Sequence, residues 1–425
     1  MNSRPLRITI LSLHYAPEPT GNAPYVSSLA EELTARGHEV RVICAHPHYP
    51  EWRTQDGYGQ WRRREPVNGV DVVRLSHYVP VKPSGIRRLL SEVTFGLRLL
   101  FARWGTPDLV ILASPALFST AIASARALAS ARRPKVVVWV QDLYSLGMAE
   151  TGQSRGGLAR VMTSVESWVL QKASGVVVIH DRFRRYVVER LGVPEGQVEV
   201  VRNWSHVSVR QDVDRGSTRE RLGWNGSETI ALHAGNMGAK QGLENVIDAA
   251  RIAQETGANV RFVLLGHGNQ RAAIESRAVG LRTVEFIDPL PPADFEAALL
   301  SADVLLVNER AGVAEMSVPS KLTTYFSTGL PVVAATDEGS ITAEEIDVSA
   351  AGLRVDAGDP AALLDAVLLL GSDPELSHRL GIAGRRFREG TLSQQAAIDK
   401  YDAWLGRVAS SQGSEPHHAD IRGEM

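Results

Sequence analysis

Cysteine, lysine and long apolar runs are all scarce in this chain of 425 residues. Its single cysteine, Cys44, excludes a disulfide framework and a cysteine-based metal site, and it fits a reducing compartment. No apolar run approaches the roughly 20 residues that a membrane-spanning helix needs. The N-terminus has no signal-peptide pattern, because its apolar segment has only the length of a strand. These absences predict a cytoplasmic protein that is at most peripheral to a membrane.

Charge is divided unevenly along the chain, although the net charge is only −2. Residues 1–205 contain 26 Lys and Arg against 17 Asp and Glu, whereas the remainder contains 20 against 31. The basic excess is concentrated at 53–64 and 82–103. In the second segment apolar residues recur at helical spacing, which fits either a core-packed helix with solvated arginines or a helix on an anionic membrane surface.

Strand and helix patterns alternate along most of the chain. Apolar segments rich in β-branched residues, such as 109–113 and 260–265, are separated by amphipathic segments of helical length. This alternation predicts parallel sheets that are covered by helices on both faces. It weakens over the polar span 203–225, where we expect a linker. The sequence therefore predicts an α/β protein with two doubly wound, Rossmann-like domains facing a central cleft.

The predicted domains are residues 1–205 and 206–390. A last helix at 391–408 is expected to pack back on the first domain, and the polar tail 409–425 is expected to be disordered. In doubly wound sheets ligands bind beside the carboxyl ends of the strands, so the loops at those ends are where function should be sought.

One loop that is suited to an anion precedes the helix predicted near Ser320. Pro319 fits a helix start, and the free N–H groups of that helix, Ser320 and Lys321 would converge on a spot suited to a phosphate. An ordinary helix–strand unit with a chance lysine explains this stretch equally well. A second loop carries Gly235 and Lys240. Only six of the 46 basic residues are lysines, yet two of the six fall in these loops.

Two further loops follow predicted strands and contain glycine. One is Gly266-His267-Gly268, and the other is the segment 19–22, which ends in Gly21 and Asn22. Each is weak evidence by itself, because loops between strands and helices use glycine routinely. All four loops would nevertheless lie at the carboxyl ends of facing sheets.

A series of motifs, in this order, resembles the GT-B-fold glycosyltransferases of family 4. They are HYAPEPTGNAPYV, VVRNW, HAGNMGAKQGLENVI, VLLGHGN, VEFIDPL, PSKLTTYFSTGLPVVA and LGIAGRRF, and they span nearly the whole chain. The chain looks most like the colanic-acid-type branch, which builds bacterial exopolysaccharide or lipid-linked glycans. The resemblance implies a retaining, metal-independent transfer from a nucleotide diphosphate sugar, with UDP preferred to GDP and with no cofactor.

The resemblance also implies site residues in both domains. The second domain would hold most of the donor, and the first would bind a glycan or polyprenyl-diphosphate-linked acceptor. The residues expected to bind the donor are Gly21, Asn22, Gly235, Asn236, Lys240, Gly266, His267, Gly268, Phe286, Ile287, Pro319, Ser320, Lys321 and Thr324. The candidate catalytic residues are Asp142, Glu315 and Lys240.

The chain departs from the family pattern at three places. Asn236 stands where many members carry an arginine. The family's paired glutamates are replaced by Met316 and Thr324, with Glu315 one place away. Asp142 follows Gln141 near a position where members often have histidine. Asp142 could orient or deprotonate the acceptor hydroxyl, or it could simply cap a helix or lie in a loop.

Other site types find less support in the sequence. The histidine spacing fits no metal-ligand motif, and Asp212-Val213-Asp214 lies in the polar linker, so no metal site is expected. The G-x-G-x-x-G motif of a dinucleotide-binding dehydrogenase is absent after the first strand. No nucleic-acid partner is expected, whereas peripheral contact with an anionic membrane through 82–103 is. Two alternatives to the transferase stay open, a sugar-nucleotide-binding subunit with little activity and a GT-B-fold sugar-nucleotide epimerase.

Overall fold

Two β-sheets organise the chain, one in its N-terminal half and one in its C-terminal half. In both halves strands alternate with helices, as the sequence predicts. The structure is a computed structural model, and it describes residues 4–19, 21–83, 85–150, 156–204, 213–312 and 320–411.

The N-terminal sheet has eight strands within these described ranges. They are β1 (Arg7–Ser12), β2 (Glu39–Ala45), β3 (Arg62–Val67), β4 (Val70–Leu75), β5 (Leu109–Ala113), β6 (Lys135–Val140), β7 (Gly175–Val178) and β8 (Val198–Val200). Their order across the sheet is β3-β4-β2-β1-β5-β6-β7-β8. All neighbours are parallel except β3 and β4. The helices of this half are α1 (Ala23–Ala35), α2 (Gly85–Phe101), α3 (Leu117–Ala129), α4 (Tyr144–Glu150), α5 (Gly157–Lys172) and α6 (Asp181–Glu189).

Strand β3 corrects the prediction of a wholly parallel sheet. It lies in a stretch that the sequence presents as a basic segment, and it pairs antiparallel with β4 through a hairpin. The turn is Asn68-Gly69, with φ values of 48° and 85°, which suits the two-residue hairpin turns that Asn-Gly favours. Because β3 forms an edge of the sheet, its arginines also discourage pairing with another chain.

The C-terminal sheet is parallel throughout and has six strands in the described part of the chain. They are β9 (Thr229–Ala234), β10 (Val260–Leu265), β11 (Val284–Ile287), β12 (Val304–Asn308), β13 (Val332–Ala335) and β14 (Gly352–Val355), in the order β11-β10-β9-β12-β13-β14. Its helices are α7 (Arg215–Leu222), α8 (Glu244–Thr256), α9 (Arg271–Arg277), α10 (Pro292–Ser301), α11 (Ser320–Thr328), α12 (Ile341–Ser349), α13 (Pro360–Ser372) and α14 (Pro374–Thr391). β9 and β12 are parallel neighbours, so both end at the carboxyl edge of the sheet, beside which ligands bind in doubly wound folds.

The two halves touch where α6 meets α12. Glu345 of α12 accepts a hydrogen bond from Nε2 of His180 at 3.1 Å and also pairs with Arg202. Ile341, from the same helix, packs within the apolar core of the N-terminal half. Helix α12 of the C-terminal half thus contacts the N-terminal half through both polar and apolar side chains.

The last helix, α15 (Gln394–Ser410), lies against the N-terminal half rather than the half that precedes it. Ile398, Tyr401 and Trp404 are buried in the same apolar core as α1 and β1. Asp402 accepts a hydrogen bond from Nε2 of His38 at 2.9 Å. Among the described residues, no helix combines the length and hydropathy that crossing a bilayer requires.

Candidate functional site

The loops after β9 and β10 pack backbone against backbone at the carboxyl edge of the C-terminal sheet. Gly235 has a φ of 121° and Gly266 a φ of 137°, which residues with a side chain rarely adopt. A Cβ on Gly266 would lie 2.0 Å from the carbonyl oxygen of Gly235. The N–H of Gly235 donates to the carbonyl of Leu265 at 2.8 Å. Glycine is therefore required for these loops to approach each other.

The other residues expected in these loops and at the end of β11 lie at the same edge. The N–H of Met237 donates to the carbonyl of His267 at 3.0 Å, and that of Gly266 donates to the carbonyl of Ile287 at 2.9 Å. These bonds join three neighbouring loops into one surface. The remaining expected residues on that surface are the exposed Asn236 and the partly buried Gly268 and Phe286.

Lys321, in the first turn of α11, reaches back over the β9 loop. Its Nζ lies 3.0 Å from Nε2 of the buried His233, and its Cε lies 3.1 Å from where a Cβ of Gly235 would stand. Burial lowers the pKa of Lys321 to about 8, although the nearby Glu309 opposes this shift. Burial and the charge of Lys321 hold the pKa of His233 well below its usual value. The neutral imidazole therefore accepts a hydrogen bond from the lysine.

Lys240 is exposed on a loop whose backbone is fixed. It lies in a short 3-10 helix, Ala239–Gln241, and its carbonyl accepts the N–H of Arg310 at 2.8 Å. The side chain of Asn308, at the end of β12, donates to the carbonyl oxygens of Gln241 at 2.7 Å and of Gly242 at 2.8 Å. The flexible side chain of Lys240 is thus attached to a backbone segment that hydrogen bonds hold in place, in the loop that also carries Gly235.

Glu309 is a further acidic residue at this edge, directly after β12. Its carboxylate accepts hydrogen bonds from the hydroxyls of Thr336 at 2.5 Å and Thr342 at 2.6 Å. Burial raises its pKa, while these two hydroxyls and the charge of Lys321 act in the opposite direction. The sequence analysis did not select Glu309, although a carboxylate directly after a buried strand is a signal that could have found it.

Several residues expected around α11 cannot be placed with the others. Glu315, Met316 and Pro319 lie outside the described residues, and so does any contact between Glu315 and the cleft. Helix α11 begins at Ser320, immediately before Lys321. Thr324, one turn further along, has a partly exposed side chain.

A cavity of about 230 Å³ opens beside the carboxyl ends of the N-terminal strands. Loops after β1, β2, β5 and β6 line it together with helix α2. Its walls include the aromatic rings of Tyr49 and Trp52. The polar or charged side chains among its lining residues include His14, Asn22, Arg88, Ser91, Glu92, Asp142 and Tyr144.

Gly21 and Asn22 form part of this cavity, in the loop that leads into α1. Gly21 has a φ of 69°, and a Cβ there would meet the ring of Tyr49 at 3.6 Å. The side-chain amide of Asn22 donates to the carbonyl of Ser114 at 3.0 Å. Within the described part of the chain its buried Oδ1 has no hydrogen-bond partner, so this oxygen is available to a ligand donor.

Asp142 follows β6 and lines the cavity. One of its carboxylate oxygens accepts the N–H of Leu143 at 2.9 Å. Enclosure by the surrounding protein raises its pKa, whereas the charge of Lys240 from the other domain lowers it. Asp142 and Lys240 therefore lie close enough for their charges to interact.

Glu92 and Tyr144 form a hydrogen-bonded pair in the wall of the same cavity. The hydroxyl of Tyr144 donates to Oε1 of Glu92 at 2.5 Å, and the N–H of Phe118 donates to Oε2 at 3.0 Å. Burial raises the pKa of Glu92 despite these bonds. The pair fixes the start of α4 against α2.

The side chains of His14, Glu18 and His48 place one potential metal ligand each within 4.8 Å of one another. However, Nδ1 of His48 lies 2.8 Å from the carbonyl oxygen of His46, so it must be a hydrogen-bond donor. Nδ1 therefore has no lone pair for a metal ion, whereas Nε2 of His48, which has no hydrogen-bond partner within the described residues, keeps one.

Of the two aspartates in the predicted linker, the one that the structure describes, Asp214, has a structural role. Asp214 precedes α7 and accepts the N–H groups of Gly216 at 3.0 Å and Ser217 at 3.2 Å. This is ordinary helix capping. Asp212 lies outside the described residues.

Helix α2 divides its apolar side chains between the core and the protein surface. Phe95 and Leu99 are buried, whereas Ile86 and Phe101 are 74% and 83% exposed. Arg88, on the same helix, lies over the ring of Trp52 and lines the cavity. The apolar residues exposed on this helix are Ile86, Leu90, Leu97, Leu100 and Phe101.

Comparison with known proteins places this architecture among sugar-transferring enzymes. Two family models match, "Glycosyl transferase 4-like domain" over residues 20–204 and "Glycosyl transferases group 1" over residues 214–387. WcaI of Escherichia coli K12, named for glycosyl transfer in colanic acid biosynthesis, is 35% identical over 340 residues, which cover 76% of this chain and 82% of WcaI.

Solved structures of the same architecture extend this likeness to the whole fold. Sucrose-phosphate synthase from Thermosynechococcus elongatus has a TM-score of 0.71 at 18% identity, covering 95% of this chain and 99% of that one. Anabaena HepE in complex with UDP-glucose has a TM-score of 0.68 at 16% identity, covering 95% and 100%. These matches confirm the predicted GT-B architecture.

Proposed function

We infer that this chain, which belongs to the group 1 glycosyltransferases of GT-B fold, transfers a sugar from a nucleotide diphosphate sugar to a glycan or polyprenyl-diphosphate-linked acceptor. UDP is preferred to GDP, the transfer retains the anomeric configuration, and no metal ion takes part. One observation carries the proposal: Lys321 lies against Gly235, on the loop that also carries Lys240.

The donor diphosphate binds at the edge formed by the Gly235 and Gly266 loops. Backbone approach is possible there because neither glycine carries a side chain. Lys321 comes from the first turn of α11, so its ammonium group and the helix N-terminus favour negative charge together. The nucleobase end of the donor then extends toward Phe286 and Ile287. UDP is supported by the UDP-glucose complex of HepE, which has the same fold.

The two lysines stabilise the leaving group. When the bond from the sugar to the diphosphate breaks, negative charge accumulates on the β-phosphate oxygens. Preorganised N–H groups and ammonium groups stabilise that charge more in the transition state than in the ground state. Lys240 and Lys321 together supply two positive charges, the same charge that a divalent cation would bring. This argument supports metal-independent transfer.

The acceptor binds in the cavity of the N-terminal half. Asp142 lines this cavity and lies close enough to Lys240 for their charges to interact, so an acceptor hydroxyl and the donor sugar would meet there. Its carboxylate orients that hydroxyl by accepting a hydrogen bond. The free Oδ1 of Asn22 offers a second acceptor for a sugar hydroxyl. Tyr49 and Trp52 provide flat apolar surfaces against which a sugar ring can pack.

The exposed apolar side chains of α2, which we call the docking face, rest on the membrane. Its members are Ile86, Leu90, Leu97, Leu100 and Phe101. The hydrophobic effect stabilises these side chains when they are buried at the boundary between the headgroups and the acyl chains. Arg87, Arg88 and Arg103 are attracted to anionic lipids. Since Arg88 also lines the cavity, a lipid-linked acceptor could pass its diphosphate to this arginine while its polyprenyl chain stays in the bilayer.

The cellular role that fits these proposals is synthesis of a cell-surface polysaccharide on the inner face of the plasma membrane. The likeness to WcaI supports exopolysaccharide as the product class. A chain that rests on the membrane without spanning it would be cytoplasmic and peripheral. A lipid-linked acceptor is presented at that location.

A panel of nucleotide sugars tests the proposal. We expect a UDP-sugar to raise the thermal unfolding temperature more than GDP-mannose does, because ligand binding to the folded state stabilises it. The same sugar should be transferred or hydrolysed by the wild type. Lys240→Ala should lower turnover or donor affinity, and if it leaves both untouched, the phosphate role of this residue is wrong. Binding without any turnover would favour a sugar-nucleotide-binding subunit, and a changed sugar on the intact nucleotide would favour an epimerase.

A further inference from the structure

The strand order of the C-terminal sheet reverses between β9 and β12. From β9 the chain moves outward to β10 and β11, and it then returns to the other side of β9 to form β12. In doubly wound sheets the loops on the two sides of such a reversal diverge and leave a crevice in which ligands bind. Gly235 directly follows β9, and Glu309 directly follows β12. Glu309 therefore lies at this crevice, next to the loop that we propose for the donor diphosphate.

The residues on both sides of Glu309 are attached to that loop. The side-chain amide of Asn308 donates to the carbonyl oxygen of Gly242 at 2.8 Å. The N–H of Arg310 donates to the carbonyl oxygen of Lys240 at 2.8 Å. A Cβ on Gly242 would lie only 2.9 Å from Cα of Arg310, so the two backbone segments are in contact there. These contacts fix the position of Glu309 beside the loop.

Two threonine hydroxyls orient the carboxylate of Glu309 without saturating it. The hydroxyl of Thr336 donates to Oε2 at 2.5 Å, and that of Thr342 donates to Oε1 at 2.6 Å. A carboxylate has about four positions for hydrogen-bond donors. In the described part of the chain no third side chain donates to this one, and the residue is partly exposed. The carboxylate therefore has room for a ligand that presents a hydrogen-bond donor.

Lys321 lies close enough to Glu309 for their charges to interact. Burial raises the pKa of Glu309, whereas the two threonine hydroxyls and the charge of Lys321 oppose this rise and favour the ionised form. Among the described residues, Nζ of Lys321 bonds to Nε2 of His233 at 3.0 Å rather than to Glu309. An ammonium group that suits a phosphate and a carboxylate that suits a hydroxyl group thus lie near each other. A sugar phosphate carries both kinds of group.

Resting on the glycosyl transfer proposed above, we propose that Glu309 binds the donor sugar by accepting a hydrogen bond from one of its hydroxyl groups. With the diphosphate at the Gly235 loop and the nucleobase toward β11, the sugar extends to the other side of β9. Neighbouring strands lie about 4.8 Å apart, so a sugar attached to that diphosphate reaches the loop after β12. Glu309 then selects a sugar with a free hydroxyl group at this position against its deoxy form.

Removal of single hydroxyl groups from the donor tests this assignment. The UDP-sugar that the panel selects is compared with its monodeoxy forms by calorimetric titration in the wild type, Glu309→Gln and Glu309→Ala. The quantity of interest is the loss of affinity that one missing hydroxyl group causes. Because both ligands carry the same nucleotide, any effect of a variant on Lys321 or on diphosphate binding applies to both and cancels.

In the wild type we expect one monodeoxy donor to bind about 10- to 100-fold more weakly than its parent, as for one hydrogen bond to a charged group. In Glu309→Ala this loss should shrink to less than about threefold. It should be intermediate in Glu309→Gln, which keeps a neutral acceptor of nearly the same shape. Titration with UDP shows that each variant is folded, and Glu309→Gln alone decides the comparison if Glu309→Ala binds no UDP.

Asp288→Asn is the matched control. Asp288 also directly follows a strand of this sheet, but that strand is β11, on the other side of β9, and the carboxylate pairs with Arg271 at 2.6 Å. This variant should keep the wild-type loss of affinity for the same monodeoxy donor. A loss that shrinks equally in Asp288→Asn and in the Glu309 variants would contradict a specific contact between Glu309 and the sugar.

Two results would overturn the assignment while leaving the glycosyl transfer intact. One is a wild type that binds every monodeoxy donor as tightly as the parent. The other is a loss of affinity that is the same in the wild type and in both Glu309 variants, because a purely structural role of Glu309 would weaken both ligands alike. If the wild type binds no nucleotide sugar at all, the proposed function fails, and the role of Glu309 fails with it.

Discussion

Nζ of Lys321 lies 3.0 Å from Nε2 of His233, and its side chain covers Gly235. The relationship joins the helix that follows β12 to the loop that follows β9. An ammonium group held this way has lost most of its water, so its interaction with an added anion is stronger than at the protein surface. Lys321 is therefore the residue on which donor binding should depend most.

Replacement of Lys321 by methionine should weaken binding of UDP by about 10- to 100-fold, the loss expected for one charge-assisted hydrogen bond. Calorimetric titration measures this change. The thermal stability of the free protein should not fall, because methionine keeps the apolar stem and removes a partly buried charge. Lys400→Met, on the distant helix α15, is the matched control and should bind UDP like the wild type. Unchanged UDP affinity in Lys321→Met would exclude this lysine from the donor site.

Binding of UDP should also weaken as pH rises through about 8. The pKa of Lys321 is about 8 in the free protein, and a bound diphosphate must raise that pKa because it favours the charged amine. Below pH 8 the amine is already protonated, so the full affinity is present. Above pH 8 binding must include protonation, and affinity should fall by about tenfold between pH 7.5 and 9.5. The phosphate groups of UDP are already ionised over this range. The dependence should be much flatter in Lys321→Met, and equal slopes would contradict the assignment.

Substitution of Gly235 by alanine should reduce UDP affinity through Lys321. A Cβ at this position would stand 3.1 Å from Cε of Lys321, and a φ of 121° is unfavourable for alanine. Gly280 provides the control, because it also has a positive φ, 84°, but a Cβ there meets nothing within 4 Å. We expect both variants to lose about 1–2 kcal/mol of stability from backbone strain. Only Gly235→Ala should bind UDP less tightly, as titration at one temperature would reveal.

The docking face of α2 should bind vesicles. We expect the wild type to float with vesicles of phosphatidylcholine mixed with phosphatidylglycerol, and the double variant Ile86→Ser, Phe101→Ser to remain unbound. Val279→Ser is the control, because Val279 is 82% exposed on the other half of the molecule. Loss of two large apolar side chains should reduce partitioning by at least tenfold, since each contributes about 1.5–3 kcal/mol when buried. Flotation of the double variant at the wild-type level would reject the docking face.

The sequence predicts the parallel sheets well because the central strands are buried on both faces. β5 and β12 read as continuous apolar runs of β-branched and aliphatic residues for this reason. It does not predict β8, β14 or the antiparallel β3. These are edge strands, and two of them are only three and four residues long. The residues of all three are mostly exposed or partly buried, so these strands lack the continuous buried run that marks a central strand.

The same limit separates the two halves of the candidate site. Gly235, Gly266 and Lys321 stand at the ends of recognisable strands or helices, so local sequence points to them. Glu92 meets Tyr144 across 52 residues, and Glu18 is held by the backbone of His48 across 30. Such pairs depend on how the loops of different strands fold together. No spacing within one motif can reveal them.

The contact between the two halves also contains a buried imidazole with an unusual protonation equilibrium. Nε2 of His180 donates to Glu345 at 3.1 Å, and burial together with the charge of Arg202 lowers the pKa of His180 to about 4. The ordinary value is 6.5. Between these two values the unfolded chain binds a proton that the folded chain does not.

Stability should therefore fall as pH falls from about 6.5 toward 4, because the folded state keeps His180 neutral while the unfolded state does not. A shift of this size corresponds to about 3 kcal/mol at the acidic end of the window. His180→Gln keeps a hydrogen-bond donor for Glu345 but has no proton to exchange, so its melting temperature should decline less steeply between pH 7 and pH 5. Melting curves of both proteins in the same buffers measure the difference. Since other carboxylates contribute equally to both slopes, parallel curves would mean that His180 is protonated as readily in the folded protein as in the unfolded chain.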